Sequence, residues 1–143
     1  MYPYLLDTDS ISLIARGGPE GTRIRARIAA LPPDSVAVSV ISYEEQMRGW
    51  MAEIARMPSV DRQLTVYSRL DRMREYYCLT PVLPFDDNAV SHFQSLWLLR
   101  LRVGTMDLKI AAVALANNAT LITRNAKDFG QAPGLVLEDW SGE

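Results

Sequence analysis

The 143-residue chain has a single cysteine, Cys78, so no internal disulfide can hold it together and its stability must come from packing. It has a single histidine, His92, which excludes metal centres built on several histidines. There is no glycine-rich phosphate loop, no Ser-His-Asp order and no zinc-ligand spacing. His92 is therefore read as structural and Cys78 as a core residue. Long apolar runs are missing too. The longest, Ile110 to Ala116, falls far short of the roughly 20 residues that cross a bilayer. The apolar start stops at Asp7 with no basic stretch before it, and no membrane association is expected. Together with the lack of a cysteine pair, this makes a reducing, cytoplasmic setting the expectation. Net positive charge is also absent. The formal value of −2 gives no overall basic signature of a nucleic-acid binder.

What the chain does have is 48% hydrophobic residues, enough for a real core in one domain spanning residues 1–143. Of the fifteen basic residues only Lys109 and Lys127 are lysine. The rest are arginine, the side chain whose planar fork matches phosphate and carboxylate.

Hydrophobic patterning alternates between strand and helix. Tyr4 to Leu6 is a buried strand ending in Asp-Thr-Asp-Ser. Ser10 to Ala15 reads as a short helix stopped by Gly17-Gly18-Pro19, and Thr22 to Leu31 as a periodic helix ended by Pro32-Pro33. Val36 to Val40 is a β-branched strand. Ser42 opens a helix to about Met57, and Val60 to Tyr77 is another. Leu79 to Leu83 is a strand broken by Pro81 and so belongs near an edge. Asp86 or Asp87 caps a helix reaching about Leu101, and Met106 to Asn117 is an alanine-rich helix with Thr105 as its cap. Ala119 to Thr123 and Leu135 to Leu137 complete the strands. With the short Ser10–Ala15 segment left out, the order is β-α-β-α-α-β-α-α-β-β. It predicts an α/β fold with a mostly parallel central sheet and helices on both faces.

Four acids stand where strands end and helices begin: Asp7, Glu45, Asp107 and Asp128. In a parallel sheet these junctions meet along one edge, where open α/β sheets bind ligands. Four carboxylates gathered there repel one another unless a cation intervenes, and hard ions such as Mg²⁺ or Mn²⁺ favour oxygen ligands. Each acid also has a purely local reason to be where it is. Asp7 can cap the helix after it, and Asp9 can be a cap or a supporting partner. Ser42-x-x-Glu45 matches a capping box, and spacing alone does not choose between Glu44 and Glu45. Asp107 sits in a first helical turn, where the dipole favours acids. Asn125 and Asp128 are common turn residues. Thr8 is placed to reach a ligand or a bound water, and Phe129 to fold its turn back into the core.

Several segments together resemble the PIN-domain nucleases, and within them the VapC toxins of toxin–antitoxin pairs. They are Tyr4–Asp9, Ser39–Gly49, Asp107–Ala116, Leu121–Phe129 and Gly134–Trp140, in order along the chain. The helical middle, Met51 to about Leu101, matches poorly. The resemblance implies a PIN-like three-layer sandwich with a metal site at the C-terminal edge of its sheet. It selects Glu45 over Glu44, puts the first and third acids on Asp7 and Asp107, and favours Asp128 as the fourth, with Thr123 and Asn125 supporting. Gln46 departs from the family pattern, which has an apolar residue there. The implied activity is Mg²⁺-dependent RNA hydrolysis, with Mn²⁺ as a substitute, by a homodimer controlled by a VapB-like antitoxin. Arg48 and Arg124 are the nearest candidates for drawing RNA to an acidic cleft. Two alternatives stand beside this one. Asp7-Thr-Asp9 also resembles the opening of an aspartate-nucleophile phosphatase, and the fold could be a non-catalytic binding module whose acids only cap helices.

Overall fold

A computed structural model describes residues 1–142. Five parallel strands form the centre: β1 (Tyr4–Leu6), β2 (Val36–Ser39), β3 (Val82–Leu83), β4 (Thr120–Ile122) and β5 (Leu137–Glu138). Their spatial order is β3-β2-β1-β4-β5. The chain therefore starts in the middle, builds outward to one edge, then returns to build the other. The reversal lies between β1 and β4, where Leu5 is in register with Leu121. A crevice forms outside the strand ends at such a point.

The helices are α1 (Thr8–Arg16), α2 (Pro19–Ala29), α3 (Val40–Arg56), α4 (Val60–Leu79), α5 (Asp87–Leu98), α6 (Thr105–Ala116) and the short α7 (Ala126–Phe129). Side chains of a strand alternate between faces, and neighbours here enter different cores. Leu5, Ala37 and Leu121 join one cluster with Ala89, Leu96, Ile110, Val113 and Phe129, which come from α5, α6 and α7. Leu6, Val38 and Ile122 join the other with Ile11, Ile14, Ile24, Met73, Tyr77 and Trp140. The result is the expected three-layer sandwich. The sheet is all parallel, because every connection crosses over through helix.

Two glycines are dictated by geometry. Gly17 ends α1 at φ 73°, in the left-handed region that suits glycine. A Cβ on Gly21 would collide with the Leu13 carbonyl, so α2 can lie this close to α1 only with glycine there.

Several boundaries differ from the sequence expectation. Each of the first three strands is followed by two helices, and α7 forms where a plain turn was expected. Helix α3 starts at Val40, and its N-cap is Ser39, whose hydroxyl accepts the Ser42 amide. Ser42 is thus inside the helix, and no capping box involving Glu45 exists. Helix α6 starts at Thr105 after an extended Gly104 and has no side-chain cap. Strand β5 begins only at Leu137, because Leu135 is held in the preceding turn, where its amide N–H donates a hydrogen bond to the Ala132 carbonyl. Cys78 is exposed, not in the core. The buried stripe of α4 is Val66, Met73 and Tyr77, and the next residue turns about 100° away from it. Among the described residues no helix is long and apolar enough to cross a membrane.

Candidate active site

The first side chain past β1 is Asp7, and it is almost fully buried. Its amide donates to the Ile122 carbonyl at the end of β4, at 3.1 Å. The Ser10 hydroxyl donates to the same carbonyl, also at 3.1 Å. Asp7 is therefore fixed at the β1–β4 switch by backbone on both sides. Its Oδ1 accepts the Ser10 amide at 2.8 Å and caps α1. Capping and a role at the crevice coexist, since a carboxylate has two oxygens and several lone pairs. Burial raises the pKa of Asp7, opposed by hydrogen bonds from Ser10 and Thr123.

Asp107 enters from the first turn of α6. Burial pushes its carboxyl up to about 6, and the charges of Glu45, Asp7 and Asp128 push in the same direction. Three acids from three other segments thus lie within electrostatic reach of Asp107. Glu45 belongs to the second turn of α3, where its Oε1 accepts the Thr8 hydroxyl at 2.7 Å. Thr8 Oγ1 is also 2.9 Å from Ser42 Oγ. These contacts join the start of α1 to the start of α3 and hold Glu45 where its charge acts on Asp107. The neighbouring Glu44 is turned aside and pairs with Arg48 at 2.6 Å.

The fourth corner is the β4–α7 junction. Thr123 is buried, and its hydroxyl accepts the Asn125 amide at 3.0 Å. Asn125 caps α7 by accepting the Asp128 amide, and its Nδ2 donates to Asp128 Oδ2 at 3.1 Å. The two residues act as one unit, with Asn125 on the cleft wall. Phe129 is 2% exposed and anchors α7 in the core.

A cleft of about 420 Å³ opens here, lined by Asp7, Thr8, Asp9, Asp107, Arg124, Asn125 and Phe129. Asp9 serves neither as a cap nor as a support for Asp7. It pairs with Arg124 across the cleft mouth. Both arginines expected to attract RNA are engaged in ion pairs, Arg48 with Glu44 and Arg124 with Asp9. His92 is exposed on α5, away from these residues in the chain.

The donor set suits a hard divalent cation. It is all oxygen, and Asp107 is desolvated and crowded by like charge. Among the described residues no three of His, Cys, Asp and Glu stand close enough to form a ready-made cage. Mg²⁺ does not require one, since it keeps several waters and is commonly held by one or two carboxylates plus substrate phosphate.

Gln46 has a defined place that no local pattern announces. Its Oε1 accepts the Tyr77 hydroxyl at 2.8 Å, and its Nε2 reaches Ser12 Oγ at 3.5 Å. A polar side chain one residue after Glu45 thus ties α3 to α4 and α1. The only signal for it in the chain is the departure from an apolar residue.

The chain matches the PIN domain family over residues 4–135. It is 29% identical to ribonuclease VapC1 of Haemophilus influenzae strain R2866, over 96% of this chain and 98% of that protein. It is 27% identical to the tRNA(fMet)-specific endonuclease VapC of Salmonella typhimurium, over 98% and 99%. Its fold superposes on the VapBC-1 structure from nontypeable Haemophilus influenzae with a TM-score of 0.74, at 26% identity, covering 97% of this chain and 98% of that one. The family match spans all four acidic corners and four of the five strands, and the chain belongs to the PIN domain family, with relatives of the VapC type.

Proposed function

We propose that the protein is a Mg²⁺-dependent endoribonuclease, the toxin of a VapBC-type pair, with Mn²⁺ able to replace Mg²⁺. The observation that carries this is the environment of Asp107, a carboxylate desolvated and repelled by Glu45, Asp7 and Asp128 at the crevice of a parallel sheet. A purely structural fold has no need to hold four like charges together. The names of the similar VapC proteins, a ribonuclease and a transfer-RNA endonuclease, support RNA as the substrate.

Asp7 and Asp107 would hold the primary ion. When bound, the ion supplies charge stabilisation on the phosphate and the leaving oxygen, and lowers the pKa of water. The chain's own part is positional. Ser10 and the Ile122 carbonyl fix Asp7, and Thr8 fixes Glu45. Glu45 and Asp128 would orient the attacking water or complete a second ion position. Asn125 holds Asp128, and Phe129 closes the floor of the cleft.

The likeness to a VapBC complex also points to a VapB-like antitoxin as partner. An arginine from such a partner fits the acidic pocket, since its fork pairs bidentately with carboxylates. A homodimer is part of the same proposal. Trp97, Leu98 and Leu99 at the end of α5 are 57%, 79% and 52% exposed, and burial of such residues between copies would be favourable. The experiment that tests the proposal is incubation of purified protein with total RNA and Mg²⁺, comparing wild type with Asp7→Asn and Asp107→Asn. Cleavage by wild type alone supports it, and equal cleavage by all three refutes it.

A further inference from the structure

Resting on the ribonuclease reading, we infer that Arg124 is a phosphate-binding residue of the cleft held in reserve by Asp9, which occupies its guanidinium until RNA displaces it. Arg124 is the only basic residue lining the cleft among the described residues. Its Nε donates to Asp9 Oδ2 at 2.7 Å and its Nη2 to Asp9 Oδ1 at 3.2 Å. This forked arrangement uses the two donors in the geometry that also fits two oxygens of a phosphate. The contact spans 115 positions in sequence and joins the start of α1 to the loop after β4. It crosses the mouth of the cleft and is not part of either core.

The pair is built to exchange. Arg124 and Asp9 keep 43% and 39% of their side-chain surface exposed, and a solvated pair of this kind adds little net stability. Once released, Asp9 is not stranded. It lies in the first turn of α1, where the helix dipole favours a negative charge, and water reaches it. Arg124 stays charged whether or not Asp9 is paired with it, because a guanidinium does not lose its proton in a protein. The pairing also has a consequence for selectivity. An acidic cleft whose lining arginine is already neutralised attracts polyanions weakly, so an oligonucleotide must offer a phosphate at the position of the Asp9 carboxylate to gain the contact.

The test is binding without turnover. A fluorescent single-stranded RNA oligonucleotide is titrated by anisotropy at low salt with excess EDTA, in an Asp7→Asn background. Asp9→Asn, Arg124→Gln and the double variant are compared within that background. Release of Arg124 predicts that Asp9→Asn tightens binding threefold or more, that Arg124→Gln weakens it, and that Asp9→Asn has a much smaller effect once Arg124 is gone. If Asp9→Asn tightens binding equally with and without Arg124, Asp9 acts only as a general repulsive charge and the inference is overturned. No tightening by Asp9→Asn, or a loss, also overturns it. Should wild-type protein cleave RNA while these variants bind alike, the reserve role alone fails. Should wild-type protein neither bind nor cleave RNA, the ribonuclease reading fails with it.

Discussion

Asp7 shows how one side chain carries both structure and proposed chemistry. Oδ1 caps α1 and the backbone is pinned to β4, yet the residue also lines the cleft. Asp7→Asn retains the shape and an oxygen that can cap, so circular dichroism should show an intact fold. Cleavage should fall by at least about 100-fold, more than the loss of a mere supporting partner. Glu44 and Glu45 make a second comparison at this scale. Glu45→Gln should cost far more activity than Glu44→Gln, because Glu45 is held by Thr8 while Glu44 is spent on Arg48. Equal small losses in steady-state assays would contradict that placement. Asp107 makes a prediction about pH. Its folded pKa, about 6, lies above its ordinary value of 3.8. The folded protein then binds more protons than the unfolded chain between these values, so this group's contribution to stability rises as pH falls through 6 toward 4. Metal-free protein should therefore melt higher at pH 5 than at pH 7.5. Asp107→Asn should raise the melting temperature at pH 7.5 and shrink the difference. A wild-type melting curve that moves the other way, with no dependence on Asp107, would count against a crowded site.

At the scale of elements, α3 is the test case. Ser39 caps it, and Ser42 lies inside with its hydroxyl toward Thr8. Ser39→Ala should lower stability by about 1 kcal/mol, as loss of an N-cap does, measured by urea unfolding. This boundary also shows where sequence patterning stops being informative. Val36 to Val40 is rich in β-branched residues, so nothing local marks the change from strand to helix at Val40. Register with β3 decides it, since Ser39 is the last residue paired, opposite Leu83. The strands themselves were legible because Leu5-Leu6, Val36–Val38 and Leu121-Ile122 are apolar on both faces. Two of the four acidic corners, Asp7 and Asp107, were legible for a related reason, because a carboxylate right after a buried strand, or opening an apolar helix, has a desolvation cost that packing alone does not offset. Glu45 and Asp128 were singled out from Glu44 and Asn125 only by the resemblance. Local signals could not show the Asp9–Arg124 pair or the Gln46–Tyr77 bond, which join residues 115 and 31 positions apart. Cys78 defeats a reading from sequence because the pattern does not show which side of α4 meets the core.

For the whole molecule, the β3-β2-β1-β4-β5 order accounts for the site as much as any residue does. It brings the ends of β1 and β4 side by side and sets α6 and α3 around them. The apolar outer surface at the end of α5 belongs to this scale too. Light scattering at micromolar concentration should give twice the 16.0 kDa monomer mass, and a monomer would refute the dimer. Under the toxin proposal, expression in cells should arrest growth only when the proposed antitoxin is not co-expressed, and Asp7→Asn should remove the arrest. Unaffected growth and RNA with soluble wild-type protein accumulating would end the toxin proposal, although the nuclease proposal would stand. The central claim is that the four converging carboxylates work by holding a divalent metal, and the most direct measurement is RNA cleavage by purified, chelator-stripped protein before and after Mg²⁺ is restored. The predicted result is no cleavage in excess EDTA, full recovery with Mg²⁺ or Mn²⁺, and no recovery in Asp7→Asn. Cleavage that persists undiminished in excess EDTA would contradict it.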